Sequence, residues 1–388
     1  MNLKVFYNAY GERRLMGLLS QREGRVFFEY AAEFLNFELE VSPFKLPLRP
    51  GLFEGDPMFA GGLFGVFNDS LPDGWGCLLL DRQLMRRNIS YNEIGPIDRL
   101  RLIGKDPFGA LEYEPAEEGA EETIKIILDS LAREADKILE GRSQEMLDEL
   151  VALNGSSGGA RPKITALVSD DKSKIVQNSR AVPDGLSSWI IKFSNKRDRK
   201  DLGLHEYVYS LIAKKAGIKM TETYLFPSKN SSGHFGTKRF DRKGNQKIHI
   251  HSASGLLHAD FRIPCLDYAS LLRLTQLLTK NQQDIEQMVR LMIFNVKAGN
   301  KDDHSKNFTF LLDKAGEWHL SPAYDLTRSS GINGEQTAMV NGKGCGITDE
   351  DLIKEAQRYN VSAGKVREMI TQTEDALADY DRLMKELR

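Results

Sequence analysis

The sequence predicts an α+β fold: a β-rich N-terminal domain, a second strand-bearing region and a mainly helical C-terminal region. Three observations carry this reading. Residues 1 to about 50 alternate apolar and polar at strand period, as in Leu3-Val5-Tyr7 and Val26-Phe28, with breaks at Gly11 and Gly24. Two strand-like runs, Ile164 to Val168 and Trp189 to Phe193, lie mid-chain. From Leu266 to Val296 and from Ile347 to Leu387, apolar residues recur at helical spacing, placing Asp284, Glu286, Glu374 and Asp375 on exposed faces.

At 388 residues the chain is long enough for two or three domains. The acidic, apolar-poor stretch Glu114 to Glu122 marks a seam, giving expected domains of 1–118, 119–245 and 246–388. Lys plus Arg total 53 against 55 acids, so no global basic excess argues for direct nucleic-acid binding. Cys77, Cys265 and Cys345 are odd in number and widely spaced, which fits reduced thiols better than a disulfide framework. The start, MNLKVFYNAYGERR, lacks a signal peptide's apolar centre, and no run of about 18 apolar residues exists to span a bilayer. A cytoplasmic protein without a membrane partner is expected.

In chain order, Gly51 to Arg87 has aromatics punctuated by Gly, Asp and Pro, with a helix expected at Cys77-Leu78-Leu79-Leu80 after the Pro72 turn. It reads as a tightly turned core segment, or else as a partner surface. Ile124, Ile127, Leu128, Leu131 and Ile138, then Met146, Leu147, Leu150 and Leu153, have helical spacing and read as core. They lead to the small-residue loop Asn154 to Lys163. Gly158, Gly159 and Ala160 let backbone N–H groups approach an anion, with Arg161 and Lys163 adding charge around Pro162. The loop is neither a G-K-[ST] phosphate loop nor G-x-G-x-x-G, and Gly/Ser runs also serve as linkers.

Lys192 sits within the apolar run 189–193, where burial without a partner is costly. Glu206, near the start of the next expected helix, offers a carboxylate, unless Lys192 lies at a sheet edge and Glu206 on a solvated face. Tyr224 to Arg242 reads as two strands about Ser231-Ser232-Gly233, and Arg239 to Arg242 as either a hinge or a surface salt-bridge cluster.

The most informative stretch is Asn300 to Asp325. Asp302, Asp303, His304, Lys306 and Asn307 share one polar turn. Two β-like runs, Phe308 to Asp313 and Glu317 to Leu320, then flank the turn Lys314-Ala315-Gly316. Folding back near Gly316 would set Asn307 opposite Asp325 across an antiparallel ladder, about 5 Å apart. An amide oxygen and a carboxylate are hard ligands suited to Mg2+ on nucleotide phosphates, and Asp302 could orient and deprotonate a hydroxyl. Asp302 to Asn307 has the D-x-x-x-x-N spacing of a kinase catalytic loop, although KDD replaces HRD and YDL replaces DFG. The plain alternative is a solvated turn with Asp325 as a helix cap. A metal hydrolase using Asp302, Asp303 and His304 lacks any H-x-x-x-H pair.

With these residues in view, the chain resembles the HipA family of serine/threonine kinases, toxins of bacterial toxin-antitoxin modules. The resemblance rests on GVFNDSLPDGWG (65–76), SSGGARPK (156–163), WIIKF (189–193), KRFDR (238–242), DDHSKNF (302–308) and LSPAYDL (320–326), and covers nearly the whole chain. It implies a β-rich N-terminal domain followed by a two-lobed, protein-kinase-like domain using ATP and Mg2+. By motif, Asp302 would be the base, Asn307 and Asp325 the metal ligands, and Lys192 a phosphate ligand. The 158–163 loop would cover the nucleotide, with Lys238, Arg239 and Phe240 as hinge. His304, Ser305, Lys306 and Tyr324 would also line the nucleotide site. Autophosphorylation would fall on Ser156 or Ser157. The resemblance further implies a small helix-turn-helix antitoxin of HipB type, DNA engaged through that antitoxin, and a protein substrate such as an aminoacyl-tRNA synthetase. The contrasting reading is a catalytically silent scaffold that binds antitoxin and DNA. The loop is richer in Gly and Ser than in the best-known members, and Lys238 stands where some carry an acid.

Overall fold

Leu3, Val5, Tyr7 and Ala9 are all buried while the residues between them are exposed or half-buried, so the alternation read from the sequence is that of a one-sided strand. The structure, a computed structural model, describes residues 2–388 except 91, 92, 106, 116–125, 142–145, 155–158, 179, 180 and 195–197. The chain forms two compact units, residues 1–203 with 224–251, and residues 204–223 with 252–388.

In the first unit, β1 (Asn2–Ala9), β2 (Glu12–Arg22) and β3 (Arg25–Tyr30) are joined by tight turns at Tyr10-Gly11 and Glu23-Gly24. Both central residues of each turn have positive φ, the conformation that matches the right-handed twist of paired strands and that makes glycine useful there. The short helix α1 (Ala32–Leu35) and strand β4 (Leu52–Glu54) follow, then α2 (Gly65–Asn68), α3 (Gly74–Arg86), α4 (Pro96–Ile103) and β5 (Leu111–Glu114). The five strands form one antiparallel sheet in the order β4-β3-β2-β1-β5. Phe28 packs against Phe67 beneath it, with ring centroids 5.0 Å apart. The 51–87 stretch is therefore core, as its aromatics suggest.

Helices α5 (Leu128–Leu139) and α6 (Leu147–Asn154) lead to a second five-stranded sheet. Its strands are β6 (Lys163–Ser169), β7 (Ile175–Val176), β8 (Leu186–Lys192), β9 (Thr223–Phe226) and β10 (His234–Lys238), in the order β7-β6-β8-β10-β9. The short pair β11 (Arg242–Lys243) and β12 (Gln246–Lys247) and strand β13 (His249–Ser252) complete this part of the chain. One face of the second sheet, with Ile164, Ala166, Val168, Trp189 and Ile191, is buried with Leu131 and Ile138 of α5, Leu147, Leu150 and Leu153 of α6, and Trp75 and Leu79 of α3. Ile127 is not part of this core: it precedes α5 and is 67% exposed, because the helix begins one residue after it.

The second unit is mainly helical: α7 (Leu202–Lys215), whose first two residues precede the unit, α8 (Ala253–Leu257), α9 (Tyr268–Thr279) and α10 (Gln282–Ala298), and later α11 (Asp349–Gln357), α12 (Ala363–Leu377) and α13 (Tyr380–Glu386). Side chains of Asp267, Asn281, Thr348 and Ser362 accept backbone N–H bonds at helix starts, satisfying donors that lack intrahelical partners. Gly299, at φ 67°, ends α10 and turns the chain into Asn300. The hairpin of β14 (Thr309–Leu312) and β15 (Trp318–Leu320) lies beyond. Asp284 is buried rather than on an exposed face, because the first turn of α10 lies against the segment ending β15. No described helix is long and apolar enough to cross a membrane.

Candidate functional site

On the second sheet, Lys163 of β6 lies directly across from Lys192 of β8 in the antiparallel register. Side chains alternate along a strand, so these lysines share the face opposite the Ile164, Ala166 and Ile191 core, together with Thr165 and Ile190. Two like charges on facing residues repel, and an anion is what such a pair suits. Lys192 Nζ also lies 5.7 Å from the Phe235 ring centroid.

The loop before β6 is held by a residue group that the sequence did not single out for this task. Gly159 N donates to Asp73 Oδ1, Trp75 N donates to Gly159 O at 3.1 Å, and Gly74 sits against Ala160 so closely that a Cβ on it would meet the Ala160 Cα. Gly159 has φ 95°, and a side chain there would collide with Lys163 Nζ. Arg161 Nε is 3.9 Å from Asp198, and Pro162 O accepts Phe193 N at 2.8 Å. The available signal is the D-G-W turn itself, whose residues read as a tightly turned core segment or else as a partner surface. Ser156, Ser157 and Gly158 lie outside the described residues.

At the expected hinge, Lys238 pairs with Trp189, Phe240 is half-buried, and Arg239 N donates to Ser188 O at 2.8 Å. The Arg239 side chain is buried and holds both oxygens of Asp241, at 2.9 and 2.7 Å, with its guanidinium 4.1 Å from the Phe108 ring centroid. Arg242 Nη1 and Gly109 N also donate to Asp241. Burial disfavours the Asp241 charge, yet the two guanidiniums and the N–H donor outweigh it and hold the carboxyl well below its ordinary range. The 239–242 group is thus a buried cluster, not a surface one.

In the second unit, the polar turn is positioned by a buried network. Asp303 accepts from Tyr268 OH at 2.9 Å, Gln336 Nε2 at 3.1 Å, Thr337 N at 2.9 Å and Ala338 N at 3.1 Å. Asn295 donates to Tyr268 OH, and Asn300 donates to Asn295, each at 2.9 Å. Burial raises the Asp303 carboxyl, and burial with the Asp303 charge pushes the Tyr268 phenol well up, which keeps it a donor. Asp303 therefore anchors the loop, which removes it from any Asp302-Asp303-His304 metal set. Glu206, also in this unit, is buried and not on a solvated helix face.

Asp302 has a 70% exposed side chain, while its backbone N donates to Ser329 Oγ at 2.9 Å. Its carboxylate is 4.0 Å from His304 Nε2, and His304 Nδ1 is buried without a hydrogen-bond partner among the described residues. A 3₁₀ turn over Ser305–Asn307 follows. Ser305 Oγ donates to Ala259 O at 3.1 Å, Lys306 Nζ is 5.1 Å from the Phe261 ring centroid, and Asn307 Nδ2 donates to Asp302 O at 2.7 Å. That last bond spends the amide nitrogen of Asn307 and leaves its oxygen as the atom to offer a cation.

The expected ladder between Asn307 and Asp325 does not form. Phe310 pairs with Leu320 and Leu312 with Trp318, a register that would set Asn307 opposite Ala323, and the last bond is Ser321 N to Thr309 O at 2.9 Å. The turn is centred on Ala315, one residue before the expected centre, which displaces the pairing by two. Loops bring the segments together instead. Tyr324 OH donates to Lys306 O at 2.6 Å and bonds Thr309 Oγ1 at 2.6 Å, and Asn300 Nδ2 is 3.5 Å from Asp325 O. Asp325 has φ 53°, a left-handed backbone that a non-glycine residue rarely adopts and that often marks a functional position.

A third cluster has the composition of a hydrolytic triad. Ser42 Oγ is 3.0 Å from His251 Nε2, and His251 Nδ1 is 2.6 Å from Asp69 Oδ2. Ser42 is 1% exposed and His251 fully buried, so no substrate carbonyl can reach the hydroxyl. It fastens the 41–46 segment.

Comparison with known proteins agrees with this architecture. A curated protein of Sinorhizobium fredii named "Putative kinase Y4dM" is 25% identical over 256 residues, 62% of this chain and 58% of that protein, so the chain spans under two thirds of that relative's length. HipA in the Shewanella oneidensis MR-1 toxin-antitoxin complex with HipB and operator DNA superposes with a TM-score of 0.71 at 17% identity. That match covers 99% of this chain and 90% of the other, a likeness of fold. The family descriptions "HipA N-terminal domain" and "HipA-like C-terminal domain" match residues 4–114 and 155–380, and the chain belongs to the HipA family.

Proposed function

We propose that this protein is a toxin-type serine/threonine protein kinase that uses ATP and Mg2+. The observation that carries the reading is the lacing of Asn300–Asn307 to Tyr324–Ser329 through the Tyr324–Lys306, Ser329–Asp302 and Asn300–Asp325 contacts. Mg2+ takes oxygen ligands and, when bound, neutralises charge on the transferred phosphoryl group. Asn307 Oδ1 and the Asp325 carboxylate are hard oxygen donors of the type it takes. Exposed Asp302 accepts the proton of an incoming protein hydroxyl as that oxygen attacks the γ-phosphorus of ATP and the bond to the bridging oxygen breaks, releasing ADP. Lys163 and Lys192 supply the positive charge for a nucleotide's phosphates. The 158–163 loop and the 238–240 hinge complete the nucleotide contacts, along with His304, Ser305, Lys306 and Tyr324. Ser156 or Ser157 is the autophosphorylated residue.

We further propose a translation-related protein substrate such as an aminoacyl-tRNA synthetase, neutralisation by a small helix-turn-helix antitoxin of HipB type, DNA contact through that antitoxin, and action in the cytoplasm. The relative's printed kinase name supports the kinase reading, and the printed HipB and operator of the structural neighbour support the antitoxin and DNA contacts. The test is incubation of the purified chain with labelled ATP and Mg2+. Intact-mass measurement should show added phosphate, mapping to Ser156 or Ser157. No phosphate on the chain or on any lysate protein would favour the silent scaffold.

A further inference from the structure

The hairpin that follows the polar turn carries a side-chain group outside the proposed kinase chemistry. Asp313 N donates to Glu317 O at 2.9 Å, so these residues face each other where the β14–β15 ladder closes. His319 stands two residues beyond Glu317 and so on the same face. One ligand atom from each of Asp313, Glu317 and His319 lies within 4.8 Å of the others. His319 Nε2 is 3.2 Å from Asp313 Oδ2, close to the roughly 3.3 Å edge of a tetrahedron with about 2.0–2.2 Å bonds. Asp313 Oδ1 accepts the Ala315 and Glu317 backbone N–H groups at 2.8 Å each, which leaves Oδ2 as the oxygen that faces His319.

A second observation comes from the other side of the imidazole. Asp284, in the first turn of α10, is 5% exposed, and its Oδ2 accepts no hydrogen bond among the described residues. That oxygen lies 3.8 Å from His319 Nδ1. The ring is thus flanked by a carboxylate at each nitrogen, and a neutral imidazole has only one N–H to give. Metal on Nε2 resolves the conflict. It occupies the Asp313 side and fixes the proton on Nδ1, where it points at the buried, unsatisfied Asp284 oxygen. A carboxylate behind a ligating histidine is the usual support for such a ligand.

We propose that Asp313, Glu317 and His319 bind one divalent transition metal of the zinc class, with water in the fourth position and Asp284 as the positioning residue for His319. One imidazole with two carboxylates selects zinc or cobalt over Mg2+, which prefers all-oxygen octahedra. The site is therefore chemically distinct from the Asn307 and Asp325 oxygens.

The test uses the full chain, stripped with chelator and titrated with Co2+, read by visible d–d absorption and by calorimetry in excess Mg2+. The wild type should bind one equivalent with the intense bands of four-coordinate cobalt. His319→Ala should weaken binding at least 100-fold. Asp284→Ala should weaken it 10- to 100-fold, by loss of the supporting acceptor. Asp325→Asn should bind as the wild type does. Circular dichroism checks folding, and His319→Gln replaces the alanine variant should that one unfold. Absence of saturable one-equivalent binding, equal binding by wild type and His319 variants, or loss of binding in Asp325→Asn would each overturn the proposal.

Discussion

The Asp73 carboxylate accepts the backbone N–H of Gly159, tying the turn that opens α3 to the loop that precedes β6. With Trp75 N on Gly159 O, both polar groups of one loop peptide position are fixed by a distant stretch of sequence. We predict that Asp73→Ala raises the dissociation constant for ATP about tenfold, the equivalent of about 1.4 kcal/mol for a hydrogen bond to a charged acceptor. Asp73→Asn, which keeps an acceptor oxygen, should recover most of the affinity. Calorimetric titration measures both, and an Asp73→Ala affinity equal to wild type would show that the clamp does not shape the nucleotide contact.

The facing pair Lys163 and Lys192 yields a prediction about charge. Lys192→Met and Lys163→Met should each lower ATP affinity by tenfold or more while leaving adenosine binding within twofold, since adenosine carries no phosphate. Equal losses for ATP and adenosine would mean that the lysines act through the fold.

Asp241 and Arg239 form a buried ion pair, at 1% and 2% side-chain exposure. Removing the acid in Asp241→Ala leaves a buried guanidinium without its main acceptor and should cost about 3–5 kcal/mol, seen as a large fall in unfolding midpoint. The pH dependence has a definite sign. Because the folded carboxyl titrates below its unfolded value near 3.9, the pair's stabilisation is fully present above about pH 4 and is lost as pH falls through the folded value. Acid unfolding of the variant should lack this component, so the difference in stability between wild type and variant should shrink as pH falls through that range. A constant difference would contradict the assignment.

The Ser42–His251–Asp69 group invites a hydrolase test with a clear expected outcome. A fluorophosphonate should leave Ser42 unlabelled in the folded protein. Ser42→Ala should cost about 1 kcal/mol of stability without changing phosphate transfer. Labelling of Ser42 would show that the buried hydroxyl is reached.

Much of the fold is legible in the residues because single faces decide it. Leu3, Val5 and Tyr7 alternate, the apolar residues of α9 and α10 repeat at helical spacing, and Gly299 ends a helix where the polar turn begins. Failures arise where a long-range partner overrides a local pattern. Asp284 looks like a surface residue on its helix, yet the end of β15 covers it. Arg239 looks like part of a surface salt-bridge cluster, yet it is buried with Asp241 and Phe108. The hairpin illustrates how sensitive register is: the turn residues 314–316 are those expected, but a centre at Ala315 moves Asn307 from opposite Asp325 to opposite Ala323. What draws the two segments together is a tyrosine hydroxyl and an asparagine amide, neither of which leaves a periodic trace in sequence.

The central claim is that Asp302, Asn307 and Asp325 perform phosphoryl transfer. The most direct measurement is transfer of labelled γ-phosphate from ATP in Mg2+ to protein hydroxyls, for wild type, Asp302→Ala and Asp325→Asn, each confirmed folded by its unfolding midpoint. The account predicts label with wild type, a loss of at least a thousandfold in rate with Asp302→Ala though ATP still binds, and loss of Mg2+-dependent ATP binding with Asp325→Asn. Equal labelling by wild type and Asp302→Ala, or none from either, would contradict it.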